Sequence, residues 1–202
     1  MVDARIVAIS ASPSPTSKTA LFVDHVLAQL GPRGQQARHI RVRDIDPRAL
    51  LAGDFGNAAL REAAALIEQA DAVIVATPVF KASYSGLLKA FLDVLPQFAL
   101  AGKSVLPLAT GGSVAHVLSV DYALRPVLQS MGARHVIQGF FLAEGDVLAA
   151  PAPFRIHETA DEKLAEVLHH FRCVLDAPVA DTLLGHPRPN RSPGTAAQFG
   201  CA

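Results

Sequence analysis

A chain of 202 residues, half of them hydrophobic, is long enough to bury the core of one compact α/β domain. Its 18 Lys and Arg balance 18 Asp and Glu, and the zero formal charge excludes a general nucleic-acid or polyanion binder. No apolar run reaches the length of a membrane span without Asp, Lys or Pro breaking it, and residues 1–5 lead into a strand-like run with no signal-peptide pattern.

In chain order, residues 5–9 (RIVAI) predict a buried strand, and residues 21–30 a helix with Phe22, Val23, Val26, Leu27 and Leu30 at helical spacing. Residues 37–42 alternate and predict a strand nearer an edge. The stretch holding Asp44, Asp46, Pro47 and Gly53 predicts a loop. Residues 57–70, rich in Ala, predict a helix. Residues 72–77 (AVIVAT) are apolar throughout, as a parallel strand covered on both faces must be. A helix is expected over 85–95, with Leu88, Phe91, Leu92 and Leu95 on one face, and a strand over 104–109. Pro107 lies inside that strand; lacking an N–H, it predicts a bulge or an unpaired position. Residues 116–131 predict a helix, 134–141 the last strand and 158–175 the last helix. Strands alternating with helices imply right-handed βαβ units, and five strands predict an α/β flavodoxin-like parallel sheet of order 2-1-3-4-5 with helices on both faces. Residues 1–175 are expected to form the domain. Residues 176–202, interrupted by Pro178, Pro187, Pro189 and Pro193, are expected to form a tail that is disordered or docked on a neighbouring subunit. Cys173 and Cys201 read as reduced thiols, which fits a cytoplasmic protein.

In an open parallel sheet, ligands bind beyond the carboxyl ends of the strands, and three loops meet that description. After the first strand, Ser12, Ser14, Thr16, Ser17 and Thr19 gather hydroxyls around Lys18 just ahead of a helix. Free N–H groups and the positive end of the helix dipole favour an anion there, and the hydroxyls and Lys18 suit a phosphate. The same residues also read as an ordinary N-cap. The loop is not a dinucleotide-binding Gly-x-Gly-x-x-Gly loop, and it lacks the glycines of a P-loop. The second loop holds Pro78, Val79, Phe80, Lys81, Tyr84 and Ser85. Phe80 and Tyr84 offer flat faces to a planar ring; the competing reading puts Phe80 in the core and Tyr84 on the surface. The third loop is Thr110, Gly111, Gly112 and Ser113. Paired glycines let a backbone approach a ligand, although in isolation these four residues read better as a flexible turn. His169 and His170 lack partners at metal-ligand spacing, so no metal is expected. His116, beside the third loop, reads as a packing or capping residue. No Gly-x-Ser-x-Gly elbow and no acid–base dyad accompanies the loops, and no catalytic side chain is assigned.

The runs ADAVIVATPVFKASYSGLLKAFLDVLP and GKSVLPLATGGSVAHVLSVDYALRPVL, across roughly residues 71–128, resemble the NAD(P)H-dependent FMN reductases that serve alkanesulfonate monooxygenases. A looser resemblance covers roughly residues 4–175. It implies an oxidoreductase that uses FMN with NADPH or NADH. By resemblance, Ser12, Ser17, Lys18 and Thr19 hold the FMN phosphate, Pro78, Val79, Phe80, Lys81, Tyr84 and Ser85 border the flavin ring, and Thr110, Gly111, Gly112 and Ser113 line its other edge. The chain departs from the family at Ala11, where Gly is usual, at Ser14, where Arg is usual, and at Phe80, where Tyr is frequent; Lys18 supplies the charge that Ser14 does not. By resemblance, a bound flavin would supply hydride chemistry with the nicotinamide, and backbone N–H groups of these loops would stabilise the negative charge that develops. The resemblance further implies that reduced FMN passes to a flavin-dependent monooxygenase in organosulfonate desulfonation, a part of sulfur assimilation.

Two rivals are a quinone, azo or chromate reductase with tightly bound FMN, and a flavodoxin-like electron carrier, against which the neutral charge argues. A nucleotide-independent scaffold on the same fold is a third. One further expectation concerns Pro126, inside the helix over 116–131. It removes an N–H and crowds the carbonyl of Tyr122, predicting a kink or a one-residue π-bulge around Asp121 and Tyr122. The resemblance implies a homotetramer, a dimer of dimers, with Tyr122 in a π-helical interface near the flavin. The alternative is a surface helix with a plain proline kink.

Overall fold

The computed structural model describes residues 4–151 and 153–177. Its elements run β1 (Ile6–Ser10), α1 (Lys18–Gln29), α2 (Pro32–Gln35), β2 (Arg38–Arg41), α3 (Pro47–Ala52), α4 (Ala58–Gln69), β3 (Ala72–Phe80), β4 (Ser83–Tyr84) and α5 (Gly86–Asp93). They continue with β5 (Ser104–Gly111), α6 (Arg125–Ser130), β6 (His135–Val136), β7 (Phe140–Ala143), β8 (Val147–Ala149), β9 (Arg155–Ile156) and α7 (Glu158–Asp176). The main sheet has the order β2-β1-β3-β5-β6, with β7 also on β5 and all of these pairs parallel. This is the flavodoxin-like order. β4 folds back antiparallel on β3, and β8 and β9 make a separate antiparallel pair.

Side chains alternate along each strand, so the sheet divides the core in two. Ile6, Ala8, Ala72, Ile74, Leu106 and Leu108 meet Phe22, Val23 and Val26 of α1 and Leu164, Leu168 and Phe171 of α7. Val7, Ile9, Val73, Val75 and Val105 meet Leu60 and Ile67 of α4, Leu88 and Phe91 of α5, and Leu128 of α6. Phe22, Phe91 and Phe171 are fully buried, and each contributes roughly 1.5–3 kcal/mol through the apolar area it removes from water.

The fifth strand differs from its expected form. Val105 faces Val136 and Leu108 faces Phe140, so two residues of β5 lie opposite three of its partner. The extra residue sits beside Pro107, which cannot donate to the ladder, and the strand over 134–141 is therefore split into β6 and β7. On its other side Pro107 keeps register with Val75. Gly139 closes the gap: a methyl there would come within 2.6 Å of Val120 Cγ1 and 2.8 Å of the Pro107 carbonyl oxygen. The loop expected over 44–53 is also corrected. It contains α3, capped by the Asp46 carboxylate on the Arg48 N–H (2.9 Å), begun by Pro47 and ended by Gly53 in the left-handed conformation.

The helix expected over 116–131 is three pieces: a 3₁₀ turn at Val114–His116, a π-helical turn at Val120–Leu124 and α6. The π turn spans Asp121 and Tyr122, where Pro126 demanded a relief of its clash. Arg125 holds it from below, donating to Asp121 Oδ1 (2.9 and 3.0 Å) and to the carbonyls of Val136 (2.6 Å) and Ile137 (3.1 Å). α7 ends at Asp176, and the expected tail from Pro178 onward, with Cys201, lies outside the described residues. Among the described residues, no helix is long and apolar enough to cross a membrane.

Candidate functional site

The three loops meet at the carboxyl end of the sheet, here called the crest. Two side-chain hydrogen bonds and one backbone hydrogen bond tie them together. Thr19 Oγ1 and Thr110 Oγ1 are 2.6 Å apart, joining the first loop to the third. Ser85 Oγ donates to the Ala11 carbonyl at 2.6 Å, joining the second to the first, and the Ala11 N–H donates to the Ala76 carbonyl at 3.1 Å.

The first loop is ordered by its own hydroxyls. Ser12 Oγ accepts from the Ser14 N–H (3.3 Å), Ser14 Oγ from the Thr16 N–H (3.2 Å), and Ser17 Oγ caps α1 by accepting from the Ala20 N–H (3.0 Å). The N-cap reading of Ser17 is therefore correct. It also leaves Lys18 and Thr19 in the first helical turn, whose N–H groups have no intrahelical acceptors. Beneath the loop, His39 Nε2 meets Ser10 Oγ (2.9 Å) while His39 Nδ1 meets Asp24 Oδ1 (2.8 Å). Burial holds this imidazole below its ordinary pKa, against the opposing pull of Asp24.

The second loop reverses the competing reading of its aromatics. Phe80 is 50% exposed at the end of β3, whereas Tyr84 is half-buried against the core. Val79 is buried beside Ala109 and Val120. Lys81 and Ala82 form the two-residue turn between β3 and β4, with φ of 52° and 62°. Both angles lie in the region that Gly and Asn tolerate better, so the turn carries backbone strain at the crest. Ser85 is fully engaged: besides its bond to Ala11, Oγ accepts from the Leu88 N–H (3.1 Å) and caps α5, and its own N–H donates to Thr77 Oγ1 (2.9 Å). Its side chain fixes the loop from within.

In the third loop the two glycines have different reasons. A Cβ on Gly111 would come within 2.9 Å of Phe141 Cζ, so any larger residue there requires the Phe141 ring to move. Gly112 faces Glu144, whose Oε2 lies 3.6 Å from the position of an added Cβ. Ser113 Oγ accepts from the Ala115 N–H (3.2 Å) and caps the 3₁₀ turn that ends at His116. From this turn onward Val114, Val117, Leu118 and Tyr122 are exposed, Tyr122 by 79%. His169 and His170 lie exposed on α7, with Cys173 Sγ 3.6 Å from His169 Nε2.

Glu144 is the site residue that sequence reasoning missed. It follows the carboxyl end of β7 and pairs with Lys18 Nζ across the crest. A signal was present, because a carboxylate just beyond the last parallel strand lies where ligands bind in such sheets. It was hidden because the strand was expected to end at Phe141.

The donor set suits a phosphate at α1, where hydroxyls, Lys18 and a helix N-terminus converge, and an apolar planar group near Val79 and Phe80. A family model described as NADPH-dependent FMN reductase matches residues 4–147. An FMN reductase (NADPH) of Pseudomonas putida is 41% identical over 172 residues, covering 84% of this chain and 87% of that protein. An FMN reductase (NADPH) of Escherichia coli K12 is 42% identical over 144 residues, covering 71% and 75%. Among solved structures, the apo form of an NADH:FMN oxidoreductase (EMOB) is similar with a TM-score of 0.82 and 53% identity, covering 92% of this chain and 97% of its own.

Proposed function

The chain belongs to the NADPH-dependent FMN reductase family and is an NAD(P)H:FMN oxidoreductase; on that premise we propose that FMN lies across the crest and that reduced FMN is handed to a flavin-dependent monooxygenase. In this reading Lys18, with Ser12, Ser17 and Thr19, holds the phosphate at the first turn of α1. Pro78 to Lys81 and Tyr84 border the ring, and the backbone of Thr110 to Ser113 offers fixed donors to its polar edge. When bound, the flavin supplies the two-electron chemistry with the nicotinamide. The chain binds, orients and shields it, with no side chain assigned as acid or base. The observation that carries this reading is the pair of bonds, Thr19 to Thr110 and Ser85 to Ala11, that lock a phosphate-suited loop, an aromatic-bearing loop and a glycine loop into one crest.

The test is NADPH and NADH oxidation by the purified protein, with and without added FMN. A sequential mechanism in which added FMN is required supports release of reduced FMN. Ping-pong kinetics with FMN retained through gel filtration assigns the protein instead to the reductases with tightly bound flavin. The partner monooxygenase is proposed to act in organosulfonate desulfonation, and the check is whether reductase plus NAD(P)H sustains such an enzyme.

The same reading includes a dimer of dimers. Four of the eight large apolar side chains exposed among the described residues are Val114, Val117, Leu118 and Tyr122, clustered beside the crest. A second copy of the chain covers them. Light scattering should give a tetramer for wild type and a smaller species for Tyr122→Ala with Leu118→Ser; a monomeric wild type overturns the assembly.

A further inference from the structure

Glu144 faces two of the three crest loops. One carboxylate oxygen pairs with Lys18 Nζ, and the other lies 3.6 Å from the point where a side chain on Gly112 would begin. Its backbone is fixed from both sides: Ala143 pairs with Gly111 at the end of β7, and the His157 N–H donates to the Asp146 carbonyl at 2.8 Å. The Lys18 and Glu144 side chains are 44% and 58% exposed, so the carboxylate can swing away while the chain beneath it stays in place.

We propose that Glu144 sets the affinity for FMN by competing with its phosphate for Lys18. The inference rests on the FMN reading above and assigns a residue that reading does not use. A phosphate monoester carries roughly −1.5 to −2 charges near neutral pH, so it draws Lys18 and repels a carboxylate in the same place. Phosphate capture therefore requires Glu144 to release Lys18, and the returning carboxylate assists phosphate departure. An exposed ion pair is weak enough to be broken on each binding event and strong enough to shift the equilibrium severalfold. Glu144 thus favours a flavin that exchanges over one that is retained. The competition is directed at phosphate, so riboflavin, which has the same ring and no phosphate, should be indifferent to it.

The test measures FMN and riboflavin affinity by flavin fluorescence for the full chain and for Glu144→Gln, Lys18→Ala and the double variant. Glu144→Gln should tighten FMN by about twofold to fivefold, slow its dissociation relative to wild type, and leave riboflavin affinity unchanged. The gain should shrink at about 0.5 M salt, where exposed charges are screened, and in the Lys18→Ala background, where the contested cation is gone. Lys18→Ala should weaken FMN by about tenfold. If Lys18→Ala weakens FMN but Glu144→Gln leaves it unchanged or weaker, the competition is overturned and the phosphate site stands. Equal tightening of FMN and riboflavin overturns it as well, because the effect is then not on phosphate. If Lys18→Ala leaves FMN affinity unchanged, the phosphate site and the competition both fall.

Discussion

On the β1 side of the crest, Ser12, Ser14, Ser17 and Thr19 bond to neighbouring backbone or to Thr110, and His39 braces Ser10 from below. On the β5 side, the strand at the edge is split, the chain makes a π turn, and Val114, Val117, Leu118 and Tyr122 face outward. One flank is polar and ordered by short-range bonds, as suits the recognition of a small anion without reorganisation. The other is apolar and irregular, held by packing against Pro107 and by the Arg125 clamp, as suits a broad contact. The contrast implies that the β5 flank is the more sensitive to added volume, and the β1 flank to lost hydrogen bonds.

The largest effect is expected on the β5 flank. Gly139→Ala drives a methyl into Val120 and the Pro107 carbonyl, and should cost about 2–3 kcal/mol in urea unfolding. A variant as stable as wild type would show that this junction has slack. Next comes Ser85→Ala, which removes the cap of α5 and the bond to Ala11 that secures the β1 loop. It should cost about 1–2 kcal/mol, and a smaller loss would mean that the β1 loop is held by something else. Between the flanks, Ala82→Gly relieves one of the two positive-φ residues in the hairpin and should stabilise by about 0.5–1 kcal/mol. A loss of stability there would remove the argument for strain.

The smallest effect concerns pH on the β1 flank. Burial keeps folded His39 less basic than its ordinary value, near 6.5, so the unfolded chain takes up this proton first as pH falls. The stability His39 contributes is therefore complete above a pH of about 6.5 and declines below it, until the folded imidazole itself protonates. The difference in Tm between wild type and His39→Gln should narrow from a pH of about 8 to about 5.5, and a gap that widens on acidification would reverse the assignment.

Much of the fold was legible because its causes are local and repetitive. The unbroken apolar run of β3 reports burial on both faces, and Phe22, Val23 and Val26 report the face of α1. Pro107 announced a bulge or an unpaired position, and Pro126 a kink or a π-bulge, because each removes one N–H at a known place. What they could not announce was the response of the neighbour, since splitting β6 from β7 depends on Gly139 meeting Pro107 and Val120 across the sheet. The signals for α3 were complete, an N-cap Asp46, Pro47 and Gly53, but with so short a helix between them they resembled a turn. At the crest, the residue types of the three loops were readable, while the bonds by which Ser85 ties two of the loops together and the close approach of Phe141 to Gly111 were not. The bond of the Ser85 hydroxyl to Ala11 joins residues far apart in sequence, as does the packing of Phe141 on Gly111, so neither shows in the local pattern. Glu144 lies far from Lys18 in sequence, and only the return of β7 to the crest brings them together.

The broken fifth strand has a consequence for the behaviour of many copies of this chain in solution. β6 is two residues long and β7 four, and the kink between them leaves that border of the sheet without a straight row of open N–H and C=O groups. The opposite border, β2, is also short and carries Arg38 and Arg41 at its ends. Among the described residues, neither side offers a long straight template on which another molecule could extend the ladder, which disfavours runaway stacking into fibrils. Contacts between copies are left to side chains, which can be limited in number and can close on themselves.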